Sequence, residues 1–174
     1  MKDFRLIVLL LVFSCINKSG YSQDEVKHPD LIVTGYCSVN DFKSNPKTSE
    51  WFVPGYAGYV PDESVMKELK ILAERNYTFT IVLGTWCGDS KEQVPHFFKI
   101  ADEAGFVSND MNIICVDRTK KAEGIDLSSF NIVKVPTFIV LLDEEEIGRI
   151  IETPELTVEK DLLNIFNNSK INKQ

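Results

Sequence analysis

From Asp62 onward, helical and strand patterns of hydrophobicity alternate along the chain, and this alternation limits the fold more than any other feature of the sequence. Apolar residues recur every three or four positions after Asp62, a good N-cap, which predicts an amphipathic helix ending near Asn76. The segment "YTFTIVLGTW" then has the character of a buried strand. A second helix is predicted from Ser90 to about Ala104, where Gly105 ends it.

The rest of the chain continues the alternation. "MNIICVD" is a second apolar strand, a short helix is predicted near "IDLSSF", and "PTFIVLLDEEEIGRIIE" contains two strands joined by a solvated acidic turn at "DEEE". A terminal helix is predicted in "TVEKDLLNIFNN". This order predicts an α/β fold with a central mixed β-sheet flanked by helices on both faces.

A chain of 174 residues suits a single globular domain. We predict a signal peptide over residues 1–22, an N-terminal extension over 23–60 that packs on the domain, and the domain itself over 61–174. The extension contains one short strand-like run, "LIVTGYC", and a predicted loop rich in Gly, Pro and aromatic residues, "WFVPGYAGYVP". The formal net charge of -7 argues against a nucleic-acid-binding surface.

The first residues have the pattern of an export signal. Lys2 and Arg5 precede an apolar run, "LIVLLLVF", that is shorter than the roughly 20 residues needed to span a bilayer. Small residues in "GYSQ" favour cleavage after Ser22, whereas "VFSC" offers a lipoprotein box with Cys15 as the lipidated residue, although the bulky Phe13 fits that box poorly. We therefore predict an exported protein of the periplasm or cell envelope, attached to a membrane only if Cys15 is lipidated.

Export into an oxidising compartment changes how the remaining cysteines are interpreted, namely Cys37, Cys87 and Cys115. Three is an odd number, so at least one thiol has no partner within a monomer. Cys115 lies inside the apolar run "NIICVD", which favours a buried, inert thiol. Cys37, in the extension, is left open between a free or structural residue and a resolving thiol for Cys87.

Cys87 lies where the strand "YTFTIVLGTW" gives way to a helix. A sulfur at the first turn of a helix is close to unpaired backbone N–H groups and to the positive end of the helix dipole, and both favour the thiolate. Asp89, in the same turn, opposes that effect through its negative charge. Cys87 is thus placed for reactivity.

Three elements together carry a family resemblance: "WCGDS" at the strand–helix junction, Pro95 eight residues after Cys87, and "KVPTFIV", in which Pro136 opens a later strand. In this combination the chain resembles the thioredoxin superfamily over about residues 62–168. The resemblance implies a thioredoxin-like fold, a nucleophilic Cys87 after Trp86, and a cis-proline at Pro136 that faces the sulfur. The residue before that proline, Val135, is held extended, and its backbone groups can pair with an incoming peptide.

Two departures from the family pattern shape the expected chemistry. Ser90 stands where redox-cycling members carry a second cysteine, and Ile81 stands where they usually carry a buried acid. A mixed disulfide on Cys87 therefore cannot be resolved by its neighbour. The chemistry left to one thiol is isomerisation, deglutathionylation with external thiol, or trapping of a partner, and the alternative is a non-catalytic peptide-binding module.

The candidate site can be stated residue by residue. Cys87, Ser90 and Pro136 are the candidate catalytic residues, with Ser90 a first-turn residue whose hydroxyl faces sulfur or backbone; the supporting residues are Trp86, Gly88, Asp89 and Val135. The expected partners are protein or peptide thiols and disulfides, and glutathione. With two histidines and no paired ligand spacing, no metal site is expected, and His96 is predicted to lie on the surface. The sequence contains no phosphate-binding glycine loop, and no cofactor is predicted.

Overall fold

The computed structural model describes residues 32–106 and 110–171. The predicted signal peptide, with Cys15 and the cleavage site after Ser22, lies outside the described residues. None of the helices in the described ranges has both the length and the hydrophobicity required to cross a bilayer.

The described chain contains five strands, five α-helices and one 3-10 helix. In chain order they are β1 (Gly35–Tyr36), α1 (Val39–Ser44), α2 (Pro46–Gly58), α3 (Glu63–Leu72), β2 (Tyr77–Leu83), α4 (Gly88–Ala104), β3 (Met111–Cys115), the 3-10 helix Ser128–Phe130, β4 (Thr137–Leu142), β5 (Glu145–Ile151) and α5 (Val158–Ile171). Most predicted elements are present, with bounds that differ by a few residues. The helix predicted after Asp62 is α3, which ends at Leu72 instead of near Asn76. Helix α4 begins at Gly88, two residues before its predicted start at Ser90.

The five strands form one mixed sheet in the order β1-β3-β2-β4-β5. β2 runs parallel to β3 and antiparallel to β4, and the two outer pairs are antiparallel. The central strand β2 leads directly into α4, and β4 begins immediately after Pro136. This arrangement confirms the predicted α/β thioredoxin-like fold with a central mixed sheet, and it brings the start of α4 to the same end of the sheet as the start of β4.

The two faces of the sheet have different covers. Alternate residues of β2, among them Phe79 and Ile81, point into the larger core, which the helices α2 to α5 close. Val82 of β2 lies on the opposite face in a smaller cluster with Ile114 and Val135. Residues 116–135 cover that second face. Their helical part is the 3-10 helix Ser128–Phe130, which lies within the segment "IDLSSF" where a short helix was predicted.

The N-terminal extension is part of the main core. β1 pairs with β3, and Phe42 and Phe52 are fully buried in the same cluster as the residues of α4. The prediction that "WFVPGYAGYVP" forms a loop is wrong, because α2 continues to Gly58 with Pro54 inside it. Burial of Phe52 against Phe98 outweighs the weak helix propensity of the Pro and Gly residues.

Candidate functional site

Cys87 is the N-cap of α4 and is half-buried. Its Sγ lies 3.2 Å from the carbonyl oxygen of Val135 and 4.0 Å from Oδ2 of Asp89. The Val135–Pro136 peptide bond is cis, as expected from the resemblance. The fold thus brings together two segments that are distant in sequence, one with Cys87 and Asp89 and the other with Val135 and Pro136. Cys87 and Val135 are separated by 48 residues in the chain.

The sulfur is subject to opposing electrostatic influences. α4 is 17 residues long, and its N-terminal end, where Cys87 is the cap, attracts negative charge. The Asp89 carboxylate repels negative charge on the sulfur, and the Val135 carbonyl oxygen accepts a hydrogen bond from the protonated thiol. Replacing the Asp89 carboxylate by a neutral group would therefore remove one source of repulsion beside the sulfur.

Trp86 is held rigidly beside Cys87. Its Nε1–H donates to the carbonyl oxygen of Val116 at 2.9 Å, and the Arg118 guanidinium lies 5.1 Å from its ring centroid. Gly84 makes room for the indole, because a Cβ at position 84 would lie 2.6 Å from the Trp86 ring. The supporting roles of Gly84 and Arg118 were not predicted from the sequence. For Gly84, the available signal was a glycine two residues before the tryptophan.

Ser90 is fully buried, and its hydroxyl faces backbone instead of the sulfur. Its Oγ accepts a hydrogen bond from the Gly84 N–H at 3.3 Å, which links the end of β2 to the first turn of α4. Of the two orientations predicted for the hydroxyl, the structure has the one toward backbone. Gly88, between Cys87 and Asp89, is exposed.

Cys37 and Cys115 form a disulfide, with their Cα atoms 6.4 Å apart. The prediction that Cys115 is a buried, inert thiol is correct in its burial and wrong in its chemistry, because the sulfur is oxidised. One alternative from the sequence made Cys37 the resolving thiol for Cys87. In the oxidised state Cys37 is not available for that role. Within the described ranges, Cys87 is the free cysteine.

Ile81, which stands where an acid was expected from the family resemblance, lies on β2. It is fully buried and has Ile113 and Phe138 as its neighbours on the adjacent strands. A carboxylate at this position would have to be buried among apolar side chains, and none is present.

His96 does not lie free on the surface as predicted. It is half-buried and stacks on Tyr59 with ring centroids 4.0 Å apart, and burial lowers the pKa of His96 below 6.5. No group of three or more metal-ligating side chains is present in the part of the chain that the structure describes.

The backbone just before Pro136 lies beside the sulfur, because the Val135 carbonyl oxygen is 3.2 Å from Cys87 Sγ. The Val135 N–H has no hydrogen-bond acceptor among residues 32–106 and 110–171. Val133, two residues earlier, is 70% exposed.

Comparisons with known proteins concern the fold. No protein-family model matches the chain, and no curated protein matches it. Among solved structures, it is similar to a protein of unknown function from Pseudomonas aeruginosa, with 14% identity, a TM-score of 0.50, and coverage of 71% of this chain and 83% of the other. A germline-specific thioredoxin from Drosophila melanogaster matches with 18% identity, a TM-score of 0.38, and coverage of 58% and 88%. Mitochondrial thioredoxin 3 from Saccharomyces cerevisiae matches with 22% identity, a TM-score of 0.34, and coverage of 62% and 88%.

Proposed function

We propose that this protein carries out thiol–disulfide exchange through the single thiol of Cys87. The observation that carries the proposal is the free, half-buried sulfur of Cys87 at the start of α4, 3.2 Å from the carbonyl oxygen that precedes cis-Pro136. The other two cysteines of the described chain are consumed in one disulfide. The exchange therefore uses one protein sulfur and needs a second thiol from outside the chain.

The proposed reaction has two steps. The Cys87 thiolate attacks one sulfur of a partner disulfide, so that a new S–S bond forms, the partner's S–S bond breaks, and the other half leaves as a thiolate that takes a proton from water. An external thiolate then attacks the partner's sulfur in the mixed disulfide. A disulfide forms between the external group and the partner, the bond to Cys87 breaks, and Cys87 leaves as a thiolate. Because Ser90 stands where a second cysteine would be needed to resolve it, the mixed disulfide should be long-lived. Protein isomerisation and deglutathionylation both use this cycle.

Mixed-disulfide formation tests the proposal. Wild type incubated with glutathione disulfide should gain one glutathione by intact mass, and Cys87→Ser should gain none. Ser90→Cys should release the bound glutathione by forming an internal disulfide and should gain some insulin-reducing activity, whereas Ser90→Ala should not. If Cys87 forms no adduct and reacts with iodoacetamide no faster than a model thiol, the exchange proposal is wrong.

A second candidate function is a non-catalytic peptide-binding module. The Val135 N–H, which has no acceptor within the ranges that the structure describes, favours it, because this group can pair with a peptide strand whether or not the sulfur reacts. The two functions separate in Cys87→Ser: a binding module would retain its affinity for peptides in that variant, whereas an exchange protein would lose its capture of disulfide-bonded partners.

We further propose that the protein is exported and works in the cell envelope. The Cys37–Cys115 disulfide supports this proposal, because such bonds persist in oxidising compartments and are rare in the cytosol. The intact mass of protein recovered from its native envelope should correspond to a chain that begins at or near Gln23. A mass that corresponds to a chain beginning at a diacylated Cys15 would establish the lipoprotein route. A product retaining Met1 would contradict both routes.

A further inference from the structure

A cavity of about 360 Å³ lies beside the residue that precedes Cys87. One wall comes from the N-terminal extension and contains Val33, Lys47 and Glu50; the other contains Trp86 and Lys91. This volume is near the lower end of the roughly 300–1,000 Å³ typical of small-molecule sites. The extension therefore does more than complete the core, since it closes a small cavity against Trp86, the chain neighbour of Cys87.

The cavity is within reach of a ligand bonded to Cys87. Trp86 is its direct neighbour in the chain, and Lys91 is one helical turn further along α4, where its N–H donates to the Cys87 carbonyl oxygen at 3.1 Å. One turn of helix advances about 5.4 Å. Cys87 does not itself line the cavity, so a ligand bonded to its sulfur has to pass the first turn of α4 to reach the Lys91 side. That span is of the order of one helical turn, which a chain of a few atoms can cover.

The charges around the cavity favour an anionic ligand. Lys47 and Lys91 are both exposed, and neither ammonium group has a carboxylate within ion-pairing distance in the described ranges. Glu50 contributes the one carboxylate among the residues of the cavity, which leaves one positive charge in excess. This local excess stands out in a chain whose formal net charge is -7.

We propose that this cavity binds a carboxylate of the disulfide partner, and that the protein selects small disulfides that carry carboxylates near their sulfur atoms. The inference rests on the proposed exchange at Cys87. Asp89, 4.0 Å from the sulfur, repels such anions, as does the overall charge of the chain. Lys47 and Lys91 supply the attraction that offsets this repulsion.

The test compares disulfides that differ in charge and little in size. The rate of mixed-disulfide formation at Cys87 is measured with dithiodipropionate, which has a carboxylate on each arm, and with bis(hydroxyethyl) disulfide, which is neutral. The ratio of the two rates should fall about three- to tenfold in Lys47→Gln/Lys91→Gln, the effect of losing one or two solvent-exposed charge pairs. Lys70→Gln, which removes an exposed charge from α3, should leave the ratio nearly unchanged.

Each outcome decides one of the two proposals. If wild type reacts with the neutral disulfide and the ratio is the same in the double variant, the exchange function stands and the carboxylate site is wrong. If Lys70→Gln lowers the ratio as much as the single variants Lys47→Gln and Lys91→Gln, measured in the same way, net charge explains the preference and the cavity does not. If wild type reacts with neither disulfide, the exchange proposal fails, and the carboxylate site fails with it.

Discussion

Asp89 places a carboxylate 4.0 Å from the Cys87 sulfur, in the first turn of the helix that should activate it. Replacement by Asn keeps the shape of the side chain and removes the charge. We expect Asp89→Asn to raise the rate of Cys87 alkylation by iodoacetamide near neutral pH by about two- to tenfold, because the thiolate loses a repulsive neighbour in a partly solvated site. The measurement is the pseudo-first-order alkylation rate followed by intact mass.

Glu92→Gln is the matched control for this prediction. Glu92 is also acidic and lies on α4, but it is exposed and has no contact with the sulfur among the described residues. Its replacement should change the alkylation rate by less than Asp89→Asn. A rate that is unchanged or lower in Asp89→Asn would contradict the electrostatic role given to this carboxylate.

At the residue scale, the sequence predicted the part of the site that depends on local signals. Cys87 follows a tryptophan at a strand–helix junction, and Pro136 opens a strand, so both could be placed before the structure was known. The Cys37–Cys115 disulfide could not be placed in this way. It depends on the pairing of Gly35 with Cys115, and no local pattern in a two-residue strand specifies that register.

The edge strand β1 is the weakest element of the sheet by length. It contains two residues, and the disulfide from Cys37 to Cys115 joins it to β3 across a separation of 78 residues. Closing a loop of this length restricts the unfolded chain, so we expect Cys37→Ser/Cys115→Ala to lower the free energy of unfolding by about 2–4.5 kcal/mol. Equilibrium unfolding in urea, followed by circular dichroism, measures the difference.

Reductant gives the internal control. Dithiothreitol should lower the urea midpoint of wild type and of Cys87→Ser, and it should have no further effect on the double variant. An unchanged midpoint of wild type after verified reduction would show that the covalent link does not contribute to stability.

Helix α2 shows why one element was missed in the sequence. Pro54, Gly55 and Gly58 all lower helix propensity, and taken alone they favour a loop. In the fold, Gly55 lies against Pro95 of α4, where an added Cβ would be 3.0 Å from the proline ring. The glycine therefore permits close approach of two helices, and this role becomes visible only when both helices are in place.

At the scale of the whole molecule, one polar cluster connects four helices. Glu159 of α5 is 2% exposed, and its carboxylate accepts hydrogen bonds from the Tyr59 hydroxyl at 2.7 Å and from the Asp62 N–H at 3.2 Å. Tyr59 follows α2, Asp62 caps α3, and His96 of α4 stacks on the Tyr59 ring. The cluster therefore fixes the end of the extension to the rest of the domain.

The pH dependence of stability should reflect this cluster. Burial raises the pKa of Glu159, but the hydrogen bonds from Tyr59 and from backbone N–H groups outweigh burial and hold the pKa below 4.5. A carboxyl whose pKa is lowered by folding stabilises the protein above its unfolded pKa and loses that contribution as the pH falls through the folded value. Burial lowers the pKa of His96 below 6.5 in the folded protein. As the pH falls, the unfolded chain therefore binds a proton at this residue before the folded protein does. Stability should begin to fall as the pH drops below about 6.5.

Glu159→Gln isolates the carboxylate in this pH profile. The variant should lose about 1–3 kcal/mol of unfolding free energy at pH 7, because hydrogen bonds to a buried charge are replaced by weaker ones. It should also lose less stability than wild type as the pH falls below about 4.5. Urea unfolding at several pH values measures both effects, with Glu68→Gln, an exposed residue of α3, as control. Parallel profiles of wild type and Glu159→Gln would contradict this role.

The native disulfide also has a consequence for how the protein matures. Cys37, Cys87 and Cys115 can pair in three ways during oxidative folding, and only one of these leaves Cys87 free. The native pair closes the longest loop, 78 residues, whereas Cys87 and Cys115 are 115 - 87 = 28 residues apart. Loop-closure entropy favours the shorter loop in an unfolded chain. Oxidation before β1 docks on β3 therefore favours a Cys87–Cys115 disulfide, in which the reactive thiol is consumed. To reach the native pairing, the chain must fold before it is oxidised, or another exchange catalyst must rearrange the wrong disulfide.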